Sequence, residues 1–308
     1  MSFAKLWNAH MVLLINNIGV RRMEKYYIIT NPLKDKDLTV TNRIAGYLGS
    51  RGMTVKGNMV AGSVCRKHES YTNPADIEDD TRCVIVIGGD GTLIQAARDL
   101  RNKDIPMIGV NLGNLGFLAE IEKDSVEETL DMLIRDDFTI ESRMMLTGCI
   151  YRNQEKIQEN IALNDIVFGR SGTLRVVDFK VYVNRKFLKQ YSADGIIITT
   201  PTGSTAYNLS AGGPILEPCA NIIAITPICS HSLGSRSIVF STDSVIQIEI
   251  CEDRHLEENE TKVYFDGNAS FALQTGDRIE ITKSVLDTKI IKLNRLSFIE
   301  VLHKKLLG

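Results

Sequence analysis

Asp90 is the side chain best placed to do chemistry. It sits in Gly88-Gly89-Asp90-Gly91-Thr92, directly after the apolar run Cys83-Val84-Ile85-Val86-Ile87. A run apolar at every position is the mark of a parallel strand buried on both faces, and Thr92 to Leu100 reads as a helix that starts at once. Glycines at a strand-to-helix turn let the backbone bend tightly and approach a ligand closely. The free N–H groups of the helix start, with the positive end of its dipole, suit phosphate oxygens, and ligands of open α/β sheets sit beyond the carboxyl ends of the strands. Gly88, Gly89, Gly91 and Thr92 are therefore a candidate phosphate loop. A carboxylate facing phosphates is repulsive unless a divalent cation bridges them or a substrate hydroxyl lies between. The alternative is a plain turn with Asp90 or Thr92 as N-cap, but two glycines before the Asp and one after exceed what a cap requires. The chain holds no G-x-x-x-x-G-K-[ST], which excludes a Walker-type nucleotide site. It holds no G-x-G-x-x-G either, Gly113-x-x-Gly116 being only a fragment, so a hydride-transferring dinucleotide enzyme is disfavoured.

A second cluster begins at Asp194-Gly195 and continues IIITTPTGSTAYNLSAGGPIL. A strand over Ile196 to Thr199 runs into Thr200-Pro201-Thr202-Gly203-Ser204-Thr205-Ala206-Tyr207, a polar, closely approachable loop of hydroxyls and small residues. Its one aromatic, Tyr207, can stack on a base, which is worth ~1–3 kcal/mol. The competing reading is a turn cluster with Tyr207 in the core. That suits four or five residues better than a stretch from 200 to 214. Asn164 could read an adenine edge and Asp165 could accept from ribose hydroxyls, although taken locally the two read as a turn pair. His231, followed by Ser-Leu-Gly-Ser-Arg, reads as a structural hydrogen-bonding residue. The histidines at 10, 68, 255 and 303 lack metal-ligand spacing, so no metal site made of protein ligands is expected.

The elements that must position these residues follow from periodicity. Tyr26 to Thr30 reads as a strand, Leu38 to Leu48 as a helix with Val40, Ile44 and Leu48 on one face, and Pro106 to Val110 as another buried strand. Ser125-x-x-Glu128 is a capping box opening a helix with Val126, Leu130, Leu133 and Ile134 inward. Residues 23–137 thus form an α/β domain with a parallel sheet covered by helices. From 138 to 291 helical periodicity nearly vanishes. Val177, Phe179, Val181 and Val183 alternate with polar residues into a hairpin at Asn184-Arg185, and Ile246, Ile248 and Ile250 alternate likewise. Ser297-x-x-Glu300 caps a last helix with Phe298, Val301, Leu302 and Leu306 along one side, which the helical layer of the first domain could cover. Residues 1–22 fit no element and are set apart as an extension, either an overlong start or a disordered arm.

Two domains suit 308 residues. The 36 basic against 38 acidic side chains exclude a nucleic-acid or anionic-membrane binder, and 44% hydrophobic with 24% charged excludes a disordered chain. No uncharged apolar run reaches the roughly 18 residues of a membrane helix. Met11 to Val20 is not followed by a cleavage pattern. Six cysteines without a C-x-x-C pair read as buried thiols of a reducing, cytoplasmic compartment.

GGDGT, NLGNLGFLAE, ALND, DGIIITTPTGSTAYNLSAGGPI and His231-Ser232-Leu233 to Arg236, in this order, resemble the NAD kinase family of bacterial type, essentially from Met23 to the end. GGDGT alone is shared with diacylglycerol-type and sphingosine kinases, and phosphofructokinases carry a related GGDGS. The stretch from Asp194 onward is specific. The resemblance implies a Rossmann-like N-terminal domain, a β-sandwich-like C-terminal domain and a final segment, 292–308, returning to the first. It implies phosphorylation by ATP of the 2′-hydroxyl of the adenosine ribose of NAD, giving NADP, with Mg²⁺ held mainly by the ATP phosphates and assembly as a homodimer or homotetramer. Asp90 would be the proton acceptor with Gly91 beside the substrate, and Asn164 and Asp165 would contact the adenosine. Thr205, Ala206, Tyr207, Asn208 and Ser210 would wrap the NAD, with Tyr207 against a ring. Asp194 would help bind the dinucleotide, often in a neighbouring subunit's site. Phe117 would line the pocket, and Arg175 and Asn268 occupy positions that often touch NAD or its phosphates. The chain departs from the family at Asp165, where a Glu is more usual, and at Gln95, where many members carry a basic residue. Two other readings remain. A lipid or sphingoid-base kinase with the same loop would need an apolar acceptor pocket. A non-catalytic dinucleotide-binding regulator could dispense with Asp90.

Overall fold

The computed structural model describes residues 24–58, 72–113, 116–172, 176–231, 234–251, 261–293 and 296–306. The N-terminal extension, Arg175, Ser232 and Leu233 lie outside these residues. The first half runs β1 (Lys25–Thr30), α1 (Thr39–Ser50), β2 (Thr54–Asn58), β3 (Thr81–Gly88), α2 (Asp90–Asp99), β4 (Met107–Asn111), β5 (Ile121–Glu122) and α3 (Val126–Ile134). β1 pairs in parallel with β2 and β3, and β3 with β4. Because side chains alternate across a strand, Ile85 and Ile87 meet Ile44, Leu48 and Leu130 on one face of the sheet. Val84 and Val86 meet Leu93, Ala96 and Ala97 of α2 on the other. The unbroken apolar run of β3 is the consequence of those two covered faces.

The second half is built from β6 (Thr139–Arg152), β7 (Glu155–Ala162), β8 (Asp165–Arg170), β9 (Val177–Val183), β10 (Lys186–Ala193), β11 (Gly195–Thr199), the short α4 (Tyr207–Ser210), β12 (Ile222–Ile228), β13 (Ile238–Ser241), β14 (Ile246–Ile250), β15 (Thr261–Phe265), β16 (Ala269–Leu273), β17 (Arg278–Lys292) and α5 (Phe298–Leu306). Among the described residues the strands form two sheets. One has the order β13-β12-β11-β8-β15-β16, and the other includes β10-β9-β14-β17 with β6 and β7 beside them. A single apolar core fills the space between. In it Phe168 of β8 meets Phe179 of β9 edge-on at 5.1 Å, and Phe179 stacks on Tyr191 of β10 at 5.5 Å. This is a sandwich. It is joined to the first half by β17, whose Ile290 pairs in parallel with Met107 of β4.

Asn184 and Arg185 close the β9–β10 hairpin, both at positive φ (51° and 65°), the backbone that matches the twist of a two-residue hairpin. Two cap expectations part ways. At Ser297 the box forms: Glu300 Oε2 accepts from Ser297 N at 2.7 Å, and Glu300 N donates to Ser297 Oγ at 3.2 Å. At Ser125 the side chain makes no cap bond, because α3 continues a 3₁₀ turn over Lys123–Ser125 that already supplies its first turn. α5 has no fully buried residue, and Leu306, expected along its covered side, is exposed. Lys305 of that helix lies over the ring of Phe117, 4.3 Å from its centroid, so the returning segment does meet the first domain. No helix among the described residues is long and apolar enough to cross a membrane.

Candidate active site

β3 delivers Asp90 to the edge of the parallel sheet, but the carboxylate does not cap the helix that follows. α2 starts at Asp90, two residues earlier than its periodicity predicts, with Gly89 as N-cap and no side-chain cap bond. The Asp90 carboxylate turns instead to the loop after β4. Oδ2 accepts from Phe117 N at 2.7 Å, and Oδ1 accepts from Leu118 N at 3.2 Å and Ala119 N at 3.3 Å. A carboxylate has about four acceptor sites, so three amides leave room for one further donor. Gly116 makes this cradle possible: a β-carbon there would stand 2.0 Å from Asp90 Oδ1.

The glycine-rich loop at Gly88 to Thr92 is braced from the other side by the turn after β1. Asn31 donates from its backbone to Ile87 O at 2.9 Å and from Nδ2 to Thr92 Oγ1 at 3.1 Å. Thr92 is buried and serves this brace. Gly88 is held close, since a β-carbon would come 2.3 Å from Thr92 Oγ1, whereas one at Gly91 would meet nothing within 4 Å. The same turn sets Lys34 over the loop, its Nζ 2.6 Å from where a β-carbon of Gly89 would be. Lys34 thus brings a positive charge over the glycine-rich loop. Sequence reasoning missed it, although its place in the first strand-to-helix turn, at the same sheet edge as Asp90, was a usable signal.

A cavity of about 570 Å³ lies in the β half and gathers Asn164, Asp165, Asp194, Ala206 and Tyr207, together with Arg170, Tyr264 and Asp266. Tyr207 is 47% exposed there rather than in the core. Asp194 is gripped by Arg170 in two bonds of 3.0 and 3.2 Å. Asp165 opens β8, and Asn164 lies in the two-residue bend, Leu163-Asn164, that leads into it from β7. They are fixed by Asp266, at φ 50° in the β15–β16 turn, whose carboxylate accepts from the N–H groups of Leu163 (2.9 Å), Asn164 (2.7 Å) and Asp165 (3.3 Å). Asn164 Oδ1 is buried without a hydrogen-bond partner among the described residues. Asp266 is the second residue that sequence reasoning missed, because Phe265-Asp266-Gly267-Asn268 reads as an ordinary turn.

The hydroxyls of the 199–205 stretch mostly stitch the loop to its own backbone. Thr200 Oγ1 donates to Leu163 O at 2.7 Å, Ser204 Oγ to Pro201 O at 2.6 Å, and Thr205 Oγ1 to Thr202 O at 3.3 Å. Asn208 is fully buried, donating to Ser204 O and Pro214 O and accepting from Thr226 Oγ1. Ser210 is exposed at the end of α4. Thr205, Asn208 and Ser210 are absent from the cavity lining, as are Phe117, Gly91 and Asp90. Asn268 faces a separate cavity of about 320 Å³ and donates to Gln95 Oε1 at 3.1 Å. Among the described residues no group of His, Cys, Asp or Glu is arranged to hold a metal ion.

Burial pushes Asp165 up to about 7 from 3.8, and the neighbouring charge of Asp266 adds to it. Burial also raises Asp266, against the pull of its three amide bonds. In the folded chain Asp165 therefore keeps its proton to about pH 7, whereas in the unfolded chain it gives it up near 3.8. The folded state binds more protons between those values, so this group's contribution falls as pH rises through the window. In thermal melts of the ligand-free protein, Asp165→Asn should gain stability over the wild type on going from pH 4 to pH 7. Parallel curves would remove Asp165 from this role.

The ATP-NAD kinase N-terminal domain family matches residues 27–138 and the ATP-NAD kinase C-terminal domain family residues 163–293. An NAD kinase of Lachnospira eligens is 47% identical over 293 residues, covering 92% of this chain and all of the relative. Among solved structures, yeast NADH kinase complexed with NADH superposes with a TM-score of 0.79 at 24% identity, covering 93% of this chain and 88% of its own. An NAD kinase from Archaeoglobus fulgidus in complex with ATP gives 0.71 at 22% identity, covering 90% and 98%. With both family domains matched in order and a relative aligned along its whole length, this chain belongs to the NAD kinase family.

Proposed function

We propose that the chain transfers the terminal phosphate of ATP to the 2′-hydroxyl of the adenosine ribose of NAD, giving NADP. The observation that carries this reading is the Asp90 carboxylate, held by three amides beside a glycine-rich helix start with one acceptor site to spare. The ribose hydroxyl would donate to that site. As its oxygen bonds to the γ-phosphorus, the bond from phosphorus to the ADP oxygen breaks and the hydroxyl proton passes to Asp90. Phosphoryl transfer usually has a loose transition state, so alignment and charge neutralisation do most of the work. A carboxylate, weak as a base toward an alcohol, suffices when the proton moves late. Lys34, beside Gly89, would face the transferred phosphate in place of the basic residue that Gln95 replaces. Mg²⁺ carried on the ATP phosphates would supply Lewis-acid charge neutralisation.

In the β half, the unpartnered Oδ1 of Asn164 suits the amino group of adenine, and Tyr207 offers a half-exposed ring for stacking. The Arg170–Asp194 ion pair and the polar carboxyls of Asp165 and Asp266 give the cavity polar walls, which count against a lipid acceptor. Assembly as a homo-oligomer and a cytoplasmic setting belong to the same reading. Incubation with NAD, ATP and Mg²⁺, followed by assay with an NADP-specific dehydrogenase, should yield NADP in proportion to enzyme. Phosphorylation of a sphingoid base or diacylglycerol in place of NAD would replace the proposal, and binding of NAD without turnover would reduce the chain to a regulator.

A further inference from the structure

The loop that grips Asp90 is itself fastened one residue further on. Phe117, Leu118 and Ala119 give their N–H groups to the carboxylate, and the next residue, Glu120, ion-pairs with Lys292 at the last position of β17. Glu120 also accepts from Leu293 N at 3.4 Å, and its own N–H is bound to Gly109 O of β4 at 3.1 Å. The two side chains are nearly enclosed, 13% and 10% exposed. A buried ion pair is poor evidence of a stability gain, since apolar replacements of similar volume are often as stable, while loss of one partner strands a charge. A pair placed here calls for a reason in the site.

We infer that Lys292 and Glu120 are a positioning pair for phosphoryl transfer. They set the 116–120 loop so that its amides meet the Asp90 carboxylate. The inference rests on Asp90 being the group that receives the ribose proton. Lys305 over Phe117 is a second fastening of the same loop by the same returning segment. Glu120, from the loop after β4, pairs with Lys292, and the charge of Asp90 acts on it from the start of α2. Burial pushes Lys292 down to about 8, and the charge of Asp90 acts in the opposite sense. A cation on β17, at the seam between the two halves, thereby reaches the chemistry without touching substrate.

The test uses the full chain with Lys292→Met, Lys292→Arg and the double variant Glu120→Gln with Lys292→Met. Lys292→Met should lower kcat by about 10²-fold, the scale of a small misplacement of reacting groups, with both KM values within about threefold. Lys292→Arg should recover most of the rate. The double variant, which buries no unpaired charge, should melt like the wild type yet stay slow. Amide hydrogen exchange at 117–119 should be faster in Lys292→Met, a readout independent of turnover. Wild-type kcat in Lys292→Met, a loss confined to KM, an arginine variant as slow as the methionine one, or full rate in the double variant would each overturn the inference. Activity retained by Asp90→Asn would instead sink the proton-acceptor reading and leave the exchange result standing.

Discussion

Asp90→Asn should lower kcat about 10²- to 10⁴-fold, the range for loss of a positioned acid–base group, while KM for NAD should stay within a few-fold. The side chain is nearly isosteric, so the expectation comes from chemistry rather than bulk. An amide cannot take the ribose proton, and it carries one acceptor oxygen where the cradle uses two. Whichever way the amide turns, its NH₂ faces either Phe117 N–H or the pair from Leu118 and Ala119. Donor against donor in a partly buried loop costs about 1–3 kcal/mol, so the variant should also melt somewhat earlier. Steady-state kinetics with a thermal melt read both effects. A variant with near-normal kcat would show that Asp90 is not the proton acceptor. KM for NAD is spared because the cavity walls lie in the β half, apart from Asp90.

Gly116→Ala should do nearly as much damage without altering a charge. The added methyl would lie 2.0 Å from Asp90 Oδ1 and 2.7 Å from its Cγ, distances that no real β-carbon shows. Gly116 is buried, so the carboxylate must leave the cradle or the loop must open. Either way the acceptor is misplaced by an ångström or more, which costs about 10²-fold in rate. KM for NAD should hold, since Gly116 does not line the cavity. Kinetics of Gly116→Ala beside Gly49→Ala, on the exposed side of α1, separate the local clash from a general intolerance of the glycines, because a methyl at Gly49 meets no neighbouring group within 4 Å. Equal, mild effects at both positions would mean that the cradle contributes little.

Features governed by neighbouring residues were legible in the sequence. β3 is apolar at every position because both its faces are covered, the β9–β10 hairpin turns where its alternation stops, and the box at Ser297 and Glu300 forms within one turn. Features that depend on distant segments were not. The fragment Gly113-x-x-Gly116 looks like a piece of a dinucleotide fingerprint, yet Gly116 is glycine because Asp90 presses on it from 26 positions away. Asp266 gains its role only when the sandwich brings its turn against Leu163 to Asp165. Hydroxyl density from 199 to 205 suggested groups facing a ligand. Most of these hydroxyls bond to the backbone of their own loop or of Leu163 and Asn164, while Tyr207 just beyond them is exposed. Composition cannot separate those two uses, because the same Ser and Thr donors serve either.

The central claim is that a carboxylate at the end of β3 meets the adenosine ribose of NAD. A crystal structure with NAD and a non-transferable ATP analogue tests it directly. The 2′-oxygen should lie about 3 Å from an Asp90 carboxylate oxygen, within hydrogen-bond reach, with the γ-phosphate analogue on its far side near Lys34. A complex in which NAD fills the β-half cavity but turns its adenosine ribose away from Asp90 would contradict the account.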